Sequence, residues 1–218
     1  KRMIDKIKEK INTFISAPAE EGAPEDKKIV VIDSASLESA SAPDMRVVGL
    51  FADVAEDKVA ELVHALLYLN ELNVVENEKE KKPIEFYLST YGGAADDMFA
   101  LYDTMRYIQQ NSEIHTIGMG KVMSAGVLLL AAGTKGKRKI GKHCRVMLHS
   151  AIAGSHGSLP NLVNEMEALQ DLQESYIAAL ADETSMTKED IKNMLERKVN
   201  VYLSAEEAVE LGIADIII

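Results

Sequence analysis

The stretch Gly118-Met-Gly-Lys-Val-Met-Ser124-Ala-Gly126, running into Val127-Leu-Leu-Leu-Ala-Ala132, decides how this chain is read. A strand hands over to a buried helix here, with a small hydroxyl between small neighbours at the junction. A helix start brings unpaired backbone N–H groups and the positive end of the peptide dipoles. Such groups can stabilise an oxyanion formed when an acyl carbon is attacked, which makes Ser124 a candidate nucleophile. Serine is also a favoured helix N-cap, and taken alone the cap is the commoner role.

Outward from this junction, strand and helix patterns alternate. Arg46–Phe51 reads as a strand and Ala55–Leu72 as a helix, with Val59, Leu62, Val63, Leu66 and Leu67 at helical spacing. Pro83–Leu88 is a strand, Asp96–Gln110 a helix, Glu113–Gly118 a strand and Ser124–Ala132 a short buried helix. Gly133–Ile140 is a turn into a hairpin or short strand. Its cations Lys135, Lys137, Arg138 and Lys139 are read as solvated rather than as a phosphate site. Arg145–Leu148 is a strand, Leu159–Leu180 and Lys188–Glu196 are helices, and Val201–Leu203 is a short strand. Ala205–Leu211 is a last helix before Ile213–Ile218 closes the chain. Such alternation predicts an α/β domain, mostly parallel, with crossover helices.

The first 45 residues differ. Met3–Ile15 carries an apolar stripe, a small-residue and proline-rich linker follows over 16–26, and Lys28–Asp33 is a short β-like run. We therefore divide the chain into an N-terminal arm, 1–45, and a folded domain, 46–218. The arm's stripe is expected to pack or to bind a partner rather than a membrane.

Composition excludes several classes. With 218 residues and 47% hydrophobic content the chain can bury a full core. A formal charge of −11 argues against nucleic acid as a partner. Aromatics at 5% and no tryptophan argue against base-stacking platforms. No apolar run approaches the ~20 residues that span a bilayer, and the start at Lys1 has no apolar core of signal-peptide length. Cys144 is the sole cysteine, so no intrachain disulfide forms, which suits a reducing, cytoplasmic setting. The pair His143-Cys144 is too short a ligand set for structural zinc, and no metal or other cofactor is expected. There is no phosphate-loop fingerprint, so any coupling to ATP must come from a partner.

Two further features join Ser124. His149 ends the strand Arg145–Leu148, and histidine suits the role of general base because its pKa lies near neutrality. Gly92 and Gly93 follow another strand, where backbone can approach a ligand closely. Of the other histidines, His64 lies among apolar helix neighbours and is expected in the core or an interface.

From about Arg46 to Ile218 the chain resembles the Clp protease proteolytic-subunit family (ClpP). The resemblance is carried by Phe86-Tyr-Leu-Ser-Thr-Tyr-Gly-Gly93, the stretch Ile117–Gly126, Leu129-Leu-Ala-Ala-Gly-Thr-Lys-Gly-Lys-Arg138, Arg145-Val-Met-Leu-His149 and Tyr202-Leu-Ser-Ala-Glu-Glu-Ala-Val-Glu-Leu-Gly212. It implies the ClpP/crotonase-like fold and makes 46–218 a serine peptidase domain. It also implies an endopeptidase subunit that degrades unfolded polypeptides through an acyl-enzyme. Homo-oligomeric, stacked heptameric rings and an ATP-dependent AAA+ unfoldase as partner are implied as well. Position by position, Ser124 matches the nucleophile, His149 the base, and Gly93 and Ala125 the oxyanion-hole amides. The family's triad Asp is matched by Asn200, which can accept the histidine N–H but brings no full charge to the imidazolium. Thr90-Tyr91 stands where Ser-Pro is usual, and the arm is longer than the family's axial loop. Two alternatives stay open: a non-catalytic ring subunit assembling with active ones, and a crotonase-like acyl-CoA enzyme, against which the Ser124/His149 pairing argues.

Overall fold

The computed structural model describes residues 45–75, 81–196 and 200–218. The expected stripe, linker and β-like run of the arm lie outside the described residues.

Among the described residues seven strands form one mixed sheet. They are β1 (Val47–Leu50), β2 (Ile84–Thr90), β3 (Ile114–Met123), β4 (Lys139–Ile140), β5 (Arg145–Leu148), β6 (Val201–Leu203) and β7 (Ile216–Ile217). The main path runs β1-β2-β3-β4-β7, and all of its pairings are parallel. β5 lies parallel to the end of β3, and β6 pairs antiparallel with β5. The helices are α1 (Glu56–Val75), α2 (Ala95–Ile108), α3 (Ala125–Ala131), α4 (Leu159–Glu183), α5 (Lys188–Glu196) and α6 (Ala205–Glu210). The expected α/β class with mostly parallel strands and crossover helices is the observed one.

Local pattern explains most of this. β2 alternates strictly, with Ile84, Phe86, Leu88 and Thr90 inward. In α1, Val59, Leu62, Leu66 and Leu69 form the buried stripe. The helix α3 is buried on every side, as its Ala-Gly-Val-Leu-Leu-Leu-Ala sequence requires. Serine 204 closes a capping box with Glu207 at the start of α6.

The central strand β3 runs five residues past the expected Glu113–Gly118 end, because it changes partner on the way. Ile117 and Gly118 pair with β4, and Lys121, Val122 and Met123 pair with β5. Gly120, at φ 66°, sits between the two sets and allows the bend. This fork creates a small second leaf of β3's end, β5 and β6.

One reading of the sequence is corrected and another is narrowed. His64 is exposed on α1, which excludes the core and leaves an interface, because the buried stripe passes through Leu62 and Leu66 instead. The basic loop is not merely solvated. Arg138 is 4% exposed and ties α3 and α4 to the bend before β7: Nε and Nη2 donate to the Asp215 carboxylate at 2.9 and 2.6 Å, and Nη1 to the carbonyls of Ala131 and Glu183 at 3.1 and 2.7 Å. Lys135 Nζ lies 3.4 Å from the buried Glu183 carboxylate, which also pairs with Arg106 at 3.1 Å. Burial alone pushes the Asp215 carboxyl up, but the hydrogen bonds and charge of Arg138 outweigh it and hold the group below its usual value. The pair's contribution is therefore present at neutral pH and is lost as pH falls through that lowered pKa. Arg138→Met takes the guanidinium from Asp215 and from two carbonyls, leaving Asp215 the backbone N–H of residue 138 and the Glu183 carbonyl the Lys135 ammonium, and is expected to cost about 3 kcal/mol of stability at pH 7. The cost relative to wild type shrinks in acid; urea unfolding at both pH values checks it.

Candidate active site

Parallel pairing sets the site. Met123 on β3 is registered with Met147 on β5, so the chain leaves both strands at the same end of the sheet. Ser124 follows the first strand, and its N–H donates to the Met147 carbonyl at 2.8 Å. His149 follows the second. Both face one cavity of about 410 Å³, together with Gly93 and Ala125. One step beyond the Leu148–Val201 pair of the β5–β6 ladder, Asn200 stands opposite His149.

Ser124 has φ 53° and ψ −122°, and it is the one non-glycine residue with positive φ among the described residues. A side chain held there stores strain, a feature found at functional sites. Its hydroxyl does not cap α3, and it makes no hydrogen bond among the described residues. The capping role therefore fails to account for the serine.

The Gly92-Gly93 bend packs directly on this elbow. A Cβ on Gly92 would lie 2.6 Å from Ser124 Cβ and 3.1 Å from the Ala125 nitrogen. On Gly93 it would lie 2.1 Å from the Val54 carbonyl oxygen. The bend is fixed by Val54 N–H to Gly92 O at 2.7 Å, Ala94 N–H to Val54 O at 2.8 Å, and Gly92 N–H to Thr90 Oγ1 at 3.0 Å. Those bonds leave the Gly93 N–H undonated, and the Ala125 N–H at the helix start is likewise undonated among the described residues. Two free amide donors therefore border the cavity that Ser124 faces.

His149 is half-buried, and its Nδ1 lies 2.6 Å from the Ser150 carbonyl. Ala151 N–H donates to Gln173 Oε1 at 3.0 Å, tying the segment after His149 to α4. Asn200 is exposed, and its Nδ2 lies 3.5 Å from the Tyr202 hydroxyl. The structure thus brings Ser124, His149, Gly93 and Ala125 to one cavity. It sets Asn200 across the strand pair without a hydrogen bond to the imidazole.

Tyr176 escaped the sequence reading. From α4 its hydroxyl donates to the Ser124 carbonyl at 3.1 Å. Burial raises its phenol pKa well above the usual value, so it remains a donor. No local pattern signals a contact across 52 residues of sequence. Tyr176→Phe removes the donor but keeps the ring. It is expected to lower kcat about fivefold with KM nearly unchanged, as for a group that holds the elbow rather than substrate. Parallel slowing of fluorophosphonate labelling checks that the nucleophile itself is affected. Tyr91, in place of the usual proline, is exposed on the cavity rim with Lys121 Nζ 4.6 Å from its ring centroid. Cys144 is buried away from this site, and burial pushes its thiol up to about 11.

Comparison with known proteins agrees with the motifs. The Clp protease family model matches residues 37–218. The chain is 33% identical over 173 residues to the ATP-dependent Clp protease proteolytic subunit 1 of Prochlorococcus marinus subsp. pastoris, covering 79% of this chain and 83% of that protein. It is 34% identical over 174 residues to subunit 3 from a Synechococcus species, covering 79% and 82%. Subunit 2 of Parasynechococcus marenigrum is 31% identical over 173 residues, covering 79% and 83%. With the family's elements in place along the sheet and its model spanning most of the sequence, this chain belongs to the Clp protease family.

Proposed function

We propose that the chain is a serine endopeptidase subunit of a ring-shaped Clp-type protease. The observation that carries this reading is the shared cavity of Ser124 and His149 beside two undonated amides. Ser124 Oγ attacks the scissile carbonyl carbon while His149 Nε2 takes its proton. The new oxyanion is received by the N–H groups of Gly93 and Ala125. His149 then gives the proton to the departing amine, leaving an acyl-enzyme, and a water molecule repeats the sequence to release the acid. Turning Nε2 to Ser124 takes Nδ1 off the Ser150 carbonyl, and the side-chain oxygen of Asn200 then accepts the Nδ1–H.

The rest of the reading follows the family. The subunit assembles into homo-oligomeric stacked rings, probed by unfolded polypeptide as substrate and fed by an ATP-dependent unfoldase; the relatives' names describe them as ATP-dependent proteolytic subunits. Labelling by a fluorophosphonate, abolished in Ser124→Ala, tests the catalytic core; native mass spectrometry tests the ring.

A second reading has its own observation: Ser124 and His149 share no hydrogen bond, and the third position is an amide. On that reading the chain is a non-catalytic ring subunit. Co-purification with an active Clp-type chain, and no labelling of the assembled protein alone, would favour it.

A further inference from the structure

We infer that the cavity beside Ser124 selects a basic side chain, lysine or arginine, at the residue whose carbonyl is attacked, with Asp96 as its counter-charge. This rests on the peptidase reading above. The cavity adjoins the nucleophile, so the side chain nearest the attacked carbonyl is the one that enters it. At about 410 Å³ it lies near the small end of ligand cavities, and suits one long side chain rather than a chain segment.

Its walls and its mouth differ in chemistry. Met98, Ile152, Leu169 and Leu172 offer apolar surface to a methylene stem. Among the described residues Asp96 is the one carboxylate in the lining, and neither lysine nor arginine is present there. The carboxylate has no hydrogen bond or ion pair among the described residues and is exposed to solvent. Lysine and arginine lay apolar stems along such walls and keep the charged head in a wet, polar setting. An acidic P1 side chain meets an uncompensated like charge at the same place, so the device both attracts and rejects.

Asp96 also sits in the first turn of α2, where any carboxylate favours the helix dipole. Asp97 shares that turn but not the cavity, which supplies the control. The full chain is assayed with fluorogenic peptides that differ only at P1, as Arg, Leu or Glu. Arg is expected to exceed Glu in kcat/KM by about tenfold at low salt. The Arg-to-Leu ratio is expected to fall about fivefold in Asp96→Asn and to keep its wild-type value in Asp97→Asn. An unchanged ratio in Asp96→Asn, or an equal fall in both variants, overturns the inference while leaving a labelled, active peptidase in place. Absence of fluorophosphonate labelling at Ser124 overturns the peptidase reading, and this inference with it.

Discussion

Ser124→Ala is expected to lower peptide hydrolysis by roughly 10⁴- to 10⁶-fold while leaving thermal stability almost unchanged. The two halves of that result depend on one geometry. A serine that caps a helix loses about 1 kcal/mol when replaced by alanine, and no chemistry is lost with it. Here the hydroxyl makes no capping bond, so its removal deprives the fold of nothing. Alanine keeps the Cβ and the strained φ, so the elbow retains its shape. Residual hydrolysis is expected to persist above the uncatalysed rate, because the amides of Gly93 and Ala125 and the binding cavity survive. Steady-state kinetics with a melting curve on the same preparation separate the alternatives. A destabilised variant with intact turnover would return Ser124 to the role of an ordinary cap.

Asn200→Asp is expected to raise kcat, by about tenfold or more. In another serine protease the reverse exchange costs ~10⁴, because the amide leaves the imidazole in the wrong tautomer and the imidazolium without a counter-charge. The gain here is smaller because Asn200 is exposed, where solvent screens the new carboxylate. Register favours the outcome: Asn200 is one step beyond the Leu148–Val201 pair and so faces His149. A carboxylate is also a stronger acceptor than the Ser150 carbonyl that now holds Nδ1 at 2.6 Å, so it should draw the ring toward the productive orientation. Steady-state kinetics of both proteins under one buffer condition measure the effect. Unchanged turnover would mean that position 200 takes no part in orienting the base.

Much of this site could be read before any coordinates, for a physical reason. Strand ends are local events. The alternation of Ile84, Phe86 and Leu88, and the passage from Met123 into Val127–Ala132, mark where strands stop. In a parallel sheet, such ends gather on one side. Ser124, His149 and the glycine bend were therefore found together from spacing and motif. Contacts that depend on two distant elements meeting were not. The Tyr176 hydroxyl beneath the elbow and the burial of Arg138 among Ala131, Glu183 and Asp215 leave no periodic trace. The loop Lys135–Lys139 has the composition of a wet turn, and only its neighbours make Arg138 an interior residue. For His64 the core is excluded and an interface stays open, because its apolar neighbours are on both faces of a helix of which one alone is covered within the chain.

The fork in β3 divides labour within one sheet. The trunk, where β2 meets β3 over most of its length, carries the core. The branch that bears the proposed catalytic groups is joined by ladders of only three rungs each. Shallow attachment of this kind lets the proposed reactive end be re-tuned by substitution, as at position 200, without reopening the question of whether the chain folds.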